Sequence, residues 1–257
     1  MSAGVTALIR KNQEMLKHSG INGCITGSSM LPNKNFDVWG EDPDIDIFTY
    51  TEEAFAEAIA ILENRYGFKK GALDSSNNKN TAAQESWKYH RIITRGMDYK
   101  RGYVNTMKLN NGEVTVNVSI KQYAKTALEV IQSFDMSIIM IAYDIPTGNT
   151  IDLRRCFAHH DENIADINWL RNTDIDAMTV SYWVRQHTRN IKYWNRGFDT
   201  RPVAKAYVKM IDQLEETGCI WSSEKANDFF SEISEELKVC REQIVEWLKE
   251  KDDEDVQ

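Results

Sequence analysis

The stretch "DIDIFTY" beginning at Asp44 sets two carboxylates one residue apart inside an apolar run. Side chains on a strand alternate faces, so Asp44 and Asp46 share one side while Ile45 and Ile47 point to the core. Their β-carbons then stand roughly 7 Å apart, two rises of about 3.3 Å each. Burying isolated charge is costly, so a compensating cation is expected. Carboxylates at this spacing can flank two divalent ions about 3.5–4 Å apart, the arrangement that serves phosphoryl and nucleotidyl transfer. Magnesium suits the task, with manganese as a substitute, because it takes few protein carboxylates and completes its shell with water and phosphates. Just upstream, the apolar "INGCIT" closes on Gly27, Ser28 and Ser29. Glycine lets the backbone approach a phosphate, and serine hydroxyls and nearby N–H groups can hold it. Taken singly, the acid pair reads as solvated surface and the Gly-Ser pair as a turn. Together, on a strand, its turn and the following strand, they are far more specific.

A second unusual stretch is "YWVRQHTRNIKYWNRGFDTRP". Arg185, Arg189, Lys192 and Arg196 follow steps of four, three and four, which places them on one helical face. Tyr182, Trp183, Tyr193 and Trp194 interleave with them. In a chain of net charge -8, this stripe is where phosphate would be drawn. It could clamp a triphosphate or hold an RNA backbone, with its aromatics stacking on bases. The plainer reading is a solvated charged face whose aromatics pack inward.

Apolar strand, Gly27-Ser28, loop and "DIDIF" together resemble the signature of DNA-polymerase-beta-like nucleotidyltransferases. The fifteen residues between Ser28 and Asp44 make a longer loop than is usual in that superfamily. The resemblance implies that Gly27, Ser28 and Ser29 bind the triphosphate and that Asp44 and Asp46 are magnesium ligands. It also implies a third carboxylate on a neighbouring strand, as ligand or base. In "EVTVNVSI" the residue on the matching face is Asn117, while "FDMSIIMIAYD" offers Asp135. A subgroup from phages and large viruses has a similar "FD" before its late strand, which favours Asp135 as the third catalytic and metal-binding acid. The same subgroup resembles this chain in Arg-x-x-Lys-Tyr-x-x-Arg-Gly-Phe, which adds Arg189, Lys192, Tyr193 and Arg196 to the nucleotide site. The implied activity is magnesium-dependent transfer of a nucleoside monophosphate from an NTP to a hydroxyl of RNA (tRNA included), protein or a small molecule. The competing reading is a non-catalytic RNA- or nucleotide-binding protein on a degenerate copy of the fold.

The elements that must position these residues are legible from periodicity. A helix is expected over about 3–18, strands over 21–26 and 44–50, and a helix after Thr51, a suitable cap. "YVNTMKL-NNG-EVTVNVSI" is a hairpin signal, with Asn111-Gly112 suited to its turn. A helix over 126–134 and a buried strand over 135–144 complete a mixed sheet with packed helices, an α/β (α+β) fold. "WKYHRIITR" adds a further extended run, beyond a polar loop over 72–86. Helices near 161–171, 174–196, 202–217 and 223–250 predict a helical domain. The division expected is a catalytic domain over 1–155 and a helical one over 156–257.

At 257 residues, 42% hydrophobic and 27% charged, the composition is that of an ordinary globular protein. No apolar run reaches the roughly 20 residues of a membrane span, and the amphipathic start lacks a signal-peptide core. A cytoplasmic protein is therefore expected, in the host cytoplasm if viral. Four cysteines without a Cys-x-x-Cys pair argue against a disulfide framework. "CFAHHDE" gathers Cys156, His159, His160 and Asp161, but without a second cluster it reads as a polar junction and not as zinc.

Overall fold

A computed structural model describes residues 4–31, 44–70, 103–121, 124–159, 162–168, 180–217 and 224–254. The chain forms two compact units, and among the described residues the first spans 4–159 and the second 162–254. Of the polar loop expected over 30–43, residues 32–43 lie outside the described residues, as do the polar loop over 72–86 and the extended run at 87–95.

In the first unit, seven strands form one mixed sheet in the order β3-β4-β5-β2-β1-β6-β7. They are β1 (Gly23–Thr26), β2 (Asp44–Thr49), β3 (Lys69–Lys70), β4 (Tyr103–Asn110), β5 (Thr115–Lys121), β6 (Ile141–Asp144) and β7 (Asn149–Asp152). Among the described residues the β2–β5 pair is the parallel one, and the other neighbours run antiparallel. Alternation along β2 and β5 turns Ile45, Ile47, Val116, Val118 and Ile120 into the core, where they meet two helices. These are α1 (Val5–Lys17), contributing Ile9 and Leu16, and α2 (Glu52–Tyr66), contributing Phe55, Ala58, Ile59 and Leu62. Each of these side chains larger than alanine contributes about 1.5–3 kcal/mol by leaving water. Thr51 caps α2, its hydroxyl accepting from the Ala54 N–H at 3.1 Å, and Glu52 and Glu53 favour the positive end of the helix. On the opposite sheet face, α3 (Ala127–Gln132) packs against β6 and β1, and Phe134 meets Phe48 edge to face at 5.9 Å. The Tyr50 hydroxyl donates to Asp144 Oδ1 at 2.5 Å, tying the end of β2 to β6. Burial, with Cys24 and Asp144 beside it, pushes that phenol far above its ordinary value.

The hairpin turn forms as the Asn111-Gly112 pair predicts. Asn111 Oδ1 accepts from the N–H groups of Glu113 and Val114 at 3.0 Å each, and Gly112 takes a φ of 86°. The expected strand over 135–144 is extended only from Ile141. β6 pairs with β1 through Cys24, Ile25 and Thr26, and β1 stops where Gly27 turns away. The preceding residues make only a single-residue bridge at Met136 and then coil into a buried turn over Ser137–Ile139. β7 was not expected from the sequence. Its polar "NTID" carries no core signal, and the β6–β7 turn is held by Thr147 Oγ1 donating to Asp144 Oδ2 at 2.5 Å.

The second unit contains α4 (Val180–Asn195), α5 (Arg201–Thr217) and α6 (Glu224–Glu254). Leu237, Cys240, Ile244 and Leu248 bury one stripe of α6, alongside Val203, Tyr207 and Ile211 of α5. Arg241 on α6 pairs with Asp212 on α5. The helix expected near 161–171 does not form over 162–168. There the chain is pinned to residue 199 instead: Ala165 N–H donates to the Asp199 carbonyl at 2.8 Å, and Asp199 N–H to the Asn163 carbonyl at 2.9 Å. Among the described residues, no helix is long and apolar enough to cross a membrane.

Candidate nucleotide and metal site

The sheet sets the first unit's polar side chains in register. Asp46 on β2 lies opposite Thr26 on β1 and Asn117 on β5, and Asp44 lies opposite Thr115. Asp44 and Asp46 are half-buried, and both point away from the face that carries Ile45 and Ile47. Asn117 Nδ2 donates to Asp46 Oδ1 at 3.1 Å. The neighbouring strand therefore supplies an amide at this level of the sheet, where a carboxylate would have completed a triad.

Gly27 begins a tight helical turn over Gly27–Met30, directly after β1. Its φ is 76°, and a β-carbon placed on it would lie 2.6 Å from Asp46 Oδ2. Two independent demands thus fix glycine here: the left-handed backbone and the carboxylate against its α-carbon. Ser29 is buried, and its hydroxyl turns back to the Thr26 carbonyl at 3.2 Å. Ser28, at 8% exposure, is the serine whose hydroxyl has no such tie among the described residues. The Gly-Ser turn and the acid pair, separated by the long loop in sequence, are brought side by side.

Asp135 is buried between α3 and the turn over Ser137–Ile139, which packs against the Gly27–Met30 turn. Among the described residues, no three His, Cys, Asp or Glu side chains gather as a metal-binding group. Asp135 is thus not joined to Asp44 and Asp46 in a three-acid set. What stands at the pair is two carboxylates, hard oxygen groups of the kind magnesium accepts, with the Asn117 amide donating to one of them.

Arg189, Lys192, Tyr193 and Arg196 belong to the second unit. Tyr193 is buried, with the guanidinium of Arg189 at 5.9 Å and that of Arg196 at 5.3 Å from its ring centre. Arg196 itself is buried at 7% exposure, and Phe198 closes on Tyr193 edge to face at 6.0 Å. Trp194 meets Trp247 of α6 at 5.6 Å, with Arg201 and Lys251 over its ring. These two aromatics are packed into the helical unit. The side chains of Tyr182, Trp183 and Arg185 lie outside the described residues.

Residues that spacing did not disclose also touch the site. Arg10 and Gln13, on α1, reach the Gly27–Met30 turn: Gln13 Nε2 donates to the Ser29 carbonyl at 2.7 Å, and Arg10 Nη1 to the same oxygen at 3.1 Å. In the sequence both read as ordinary polar positions of an amphipathic helix. Lys108, exposed on β4, lies opposite Asn117 on the same face, and only the β4–β5 register could have placed it there.

No family model and no curated protein matches the chain. Among solved structures, a tRNA-processing enzyme in its apo form I is similar at a TM-score of 0.43 and 13% identity. The match covers 96% of this chain and 55% of that one, so the chain spans about half the length of that protein.

Proposed function

We propose that this chain is a magnesium-dependent nucleotidyltransferase that moves a nucleoside monophosphate from an NTP to an acceptor hydroxyl and releases pyrophosphate. The observation that carries the reading is the close approach of the Asp46 carboxylate to Gly27, where an added β-carbon would lie 2.6 Å from Oδ2, which sets a Gly-Ser turn beside paired acids on one strand face. Ser28 would hold the triphosphate, and Asp44 and Asp46 would hold magnesium. Bound there, the ion would supply charge stabilisation for the transferring phosphoryl group. Asn117 keeps Asp46 oriented through its amide. Asp135, buried beside the turn that packs on Gly27–Met30, is the remaining acid for the acceptor side.

The test is incubation with each labelled NTP, magnesium and total cellular RNA or protein. Transfer of label with wild type, and its loss in Asp44→Ala and Asp46→Asn at unchanged circular dichroism, is the expected result. Full transfer by either variant would overturn the metal assignment. Asn117, a neutral group beside Asp46, favours a second reading: a nucleotide- or RNA-binding protein without turnover. That reading requires NTP binding that ignores magnesium and no pyrophosphate release with any NTP.

A further inference from the structure

We infer that Arg10 is a positioning residue for the phosphate-binding turn, setting how tightly the Gly27–Met30 segment holds a polyphosphate. The inference rests on the nucleotide-site reading above and adds a residue to it from a different element.

The turn is clamped from α1. Arg10 Nη1 donates to the Ser29 carbonyl at 3.1 Å and to Gln13 Oε1 at 3.0 Å, and Arg10 Nη2 donates to the Leu31 carbonyl at 2.8 Å. Gln13 Nε2 doubles the contact to Ser29 at 2.7 Å. The carbonyls at the end of a helical turn have no partner within it and need donors from outside. Here a planar guanidinium supplies them in a fixed fork, which restrains two peptide groups at once. The opposite end is treated differently: Thr26 gives no side-chain cap to the turn. One end is held by a cation, and the other, with Gly27 against Asp46, is left to the ligand side. A guanidinium half-removed from water behind the turn also contributes positive potential that water screens only in part.

Calorimetry with magnesium tripolyphosphate on the full chain tests the inference, at a temperature where thermal melts show every variant folded. Arg10→Gln is expected to weaken binding about tenfold, the usual scale for losing a charged hydrogen bond. Arg10→Lys, which keeps the charge but not the fork, is expected to recover part of the loss. A lowered melting temperature with unchanged affinity would reduce Arg10 to a stabilising contact and overturn the inference. Should Arg10→Gln fail to fold, Gln13→Leu removes one bond to Ser29 and leaves the charge; affinity equal to wild type would then overturn it. Wild type that fails to bind tripolyphosphate would instead refute the nucleotide site itself, a separate outcome.

Discussion

Replacing Asn117 by aspartate would test the acid pair most directly. The Asn117 amide donates to Asp46 Oδ1 at 3.1 Å. In Asn117→Asp that donor becomes a second anion. Two charges about 4 Å apart repel by about 4 kcal/mol at an effective dielectric of about 20, an upper bound that half-exposure cuts to about 1–2 kcal/mol. Loss of the charge-assisted bond adds a further ~1.5 kcal/mol. Without divalent cations the variant should therefore be less stable by about 3 kcal/mol, a fall in melting temperature of about 6–12 °C at this chain length. With magnesium most of that loss is recovered, because a third carboxylate enlarges the ligand set. A cation present at about 100 times its dissociation constant restores about 2.7 kcal/mol. Thermal melts in chelator and in millimolar magnesium read both quantities. If magnesium lifts the variant no more than wild type, the face around Asp46 does not gather divalent cations, and the reasoning fails.

Gly27→Ala should cost about 2 kcal/mol or more, since the left-handed φ alone carries about 1–2 kcal/mol and the new methyl collides with Asp46; an unchanged urea midpoint would contradict the close approach. His187 lies 5.9 Å from Trp247, edge to face, and burial holds its imidazole below the ordinary histidine value. The unfolded chain takes up that proton first, so this contribution is full above about pH 6.5 and is lost as pH falls through the folded value. Melts at about pH 7.5 and about pH 5.5 should show a larger decline for wild type than for His187→Gln, and equal declines would exclude the residue as the cause.

Much of the first unit could be read from local pattern. Alternation fixed the face of Asp44 and Asp46, and Thr51 and Asn111-Gly112 marked a helix start and a hairpin turn by their own hydrogen-bonding chemistry. What could not be read depended on pairing between distant segments. The shortness of β6 follows from the early end of β1, a fact of the partner strand and not of "DMSIIMIAYD". Residues 162–168 look helical by composition but are held by Asp199, which no local window contains. At the site, the Gly-Ser turn and the acids were visible as types, but their contact was not, and Arg10 was hidden because its acceptors are backbone atoms 19 and 21 residues away. Backbone carbonyls leave no mark in a sequence.

Four successive residues of α1 grip two separate places. Arg10 and Gln13 hold the turn after β1, while Lys11 reaches Glu113 and Asn12 bonds Glu113 and Asn111 at the tip of the β4–β5 hairpin. One rigid rod therefore splints both flanks of the acid pair, and the hairpin bonds close loops of about a hundred residues. Such long closures are entropically late events in folding. Full docking of the first helix requires the hairpin, so the surroundings of Asp46 are expected to be among the last contacts to form on folding.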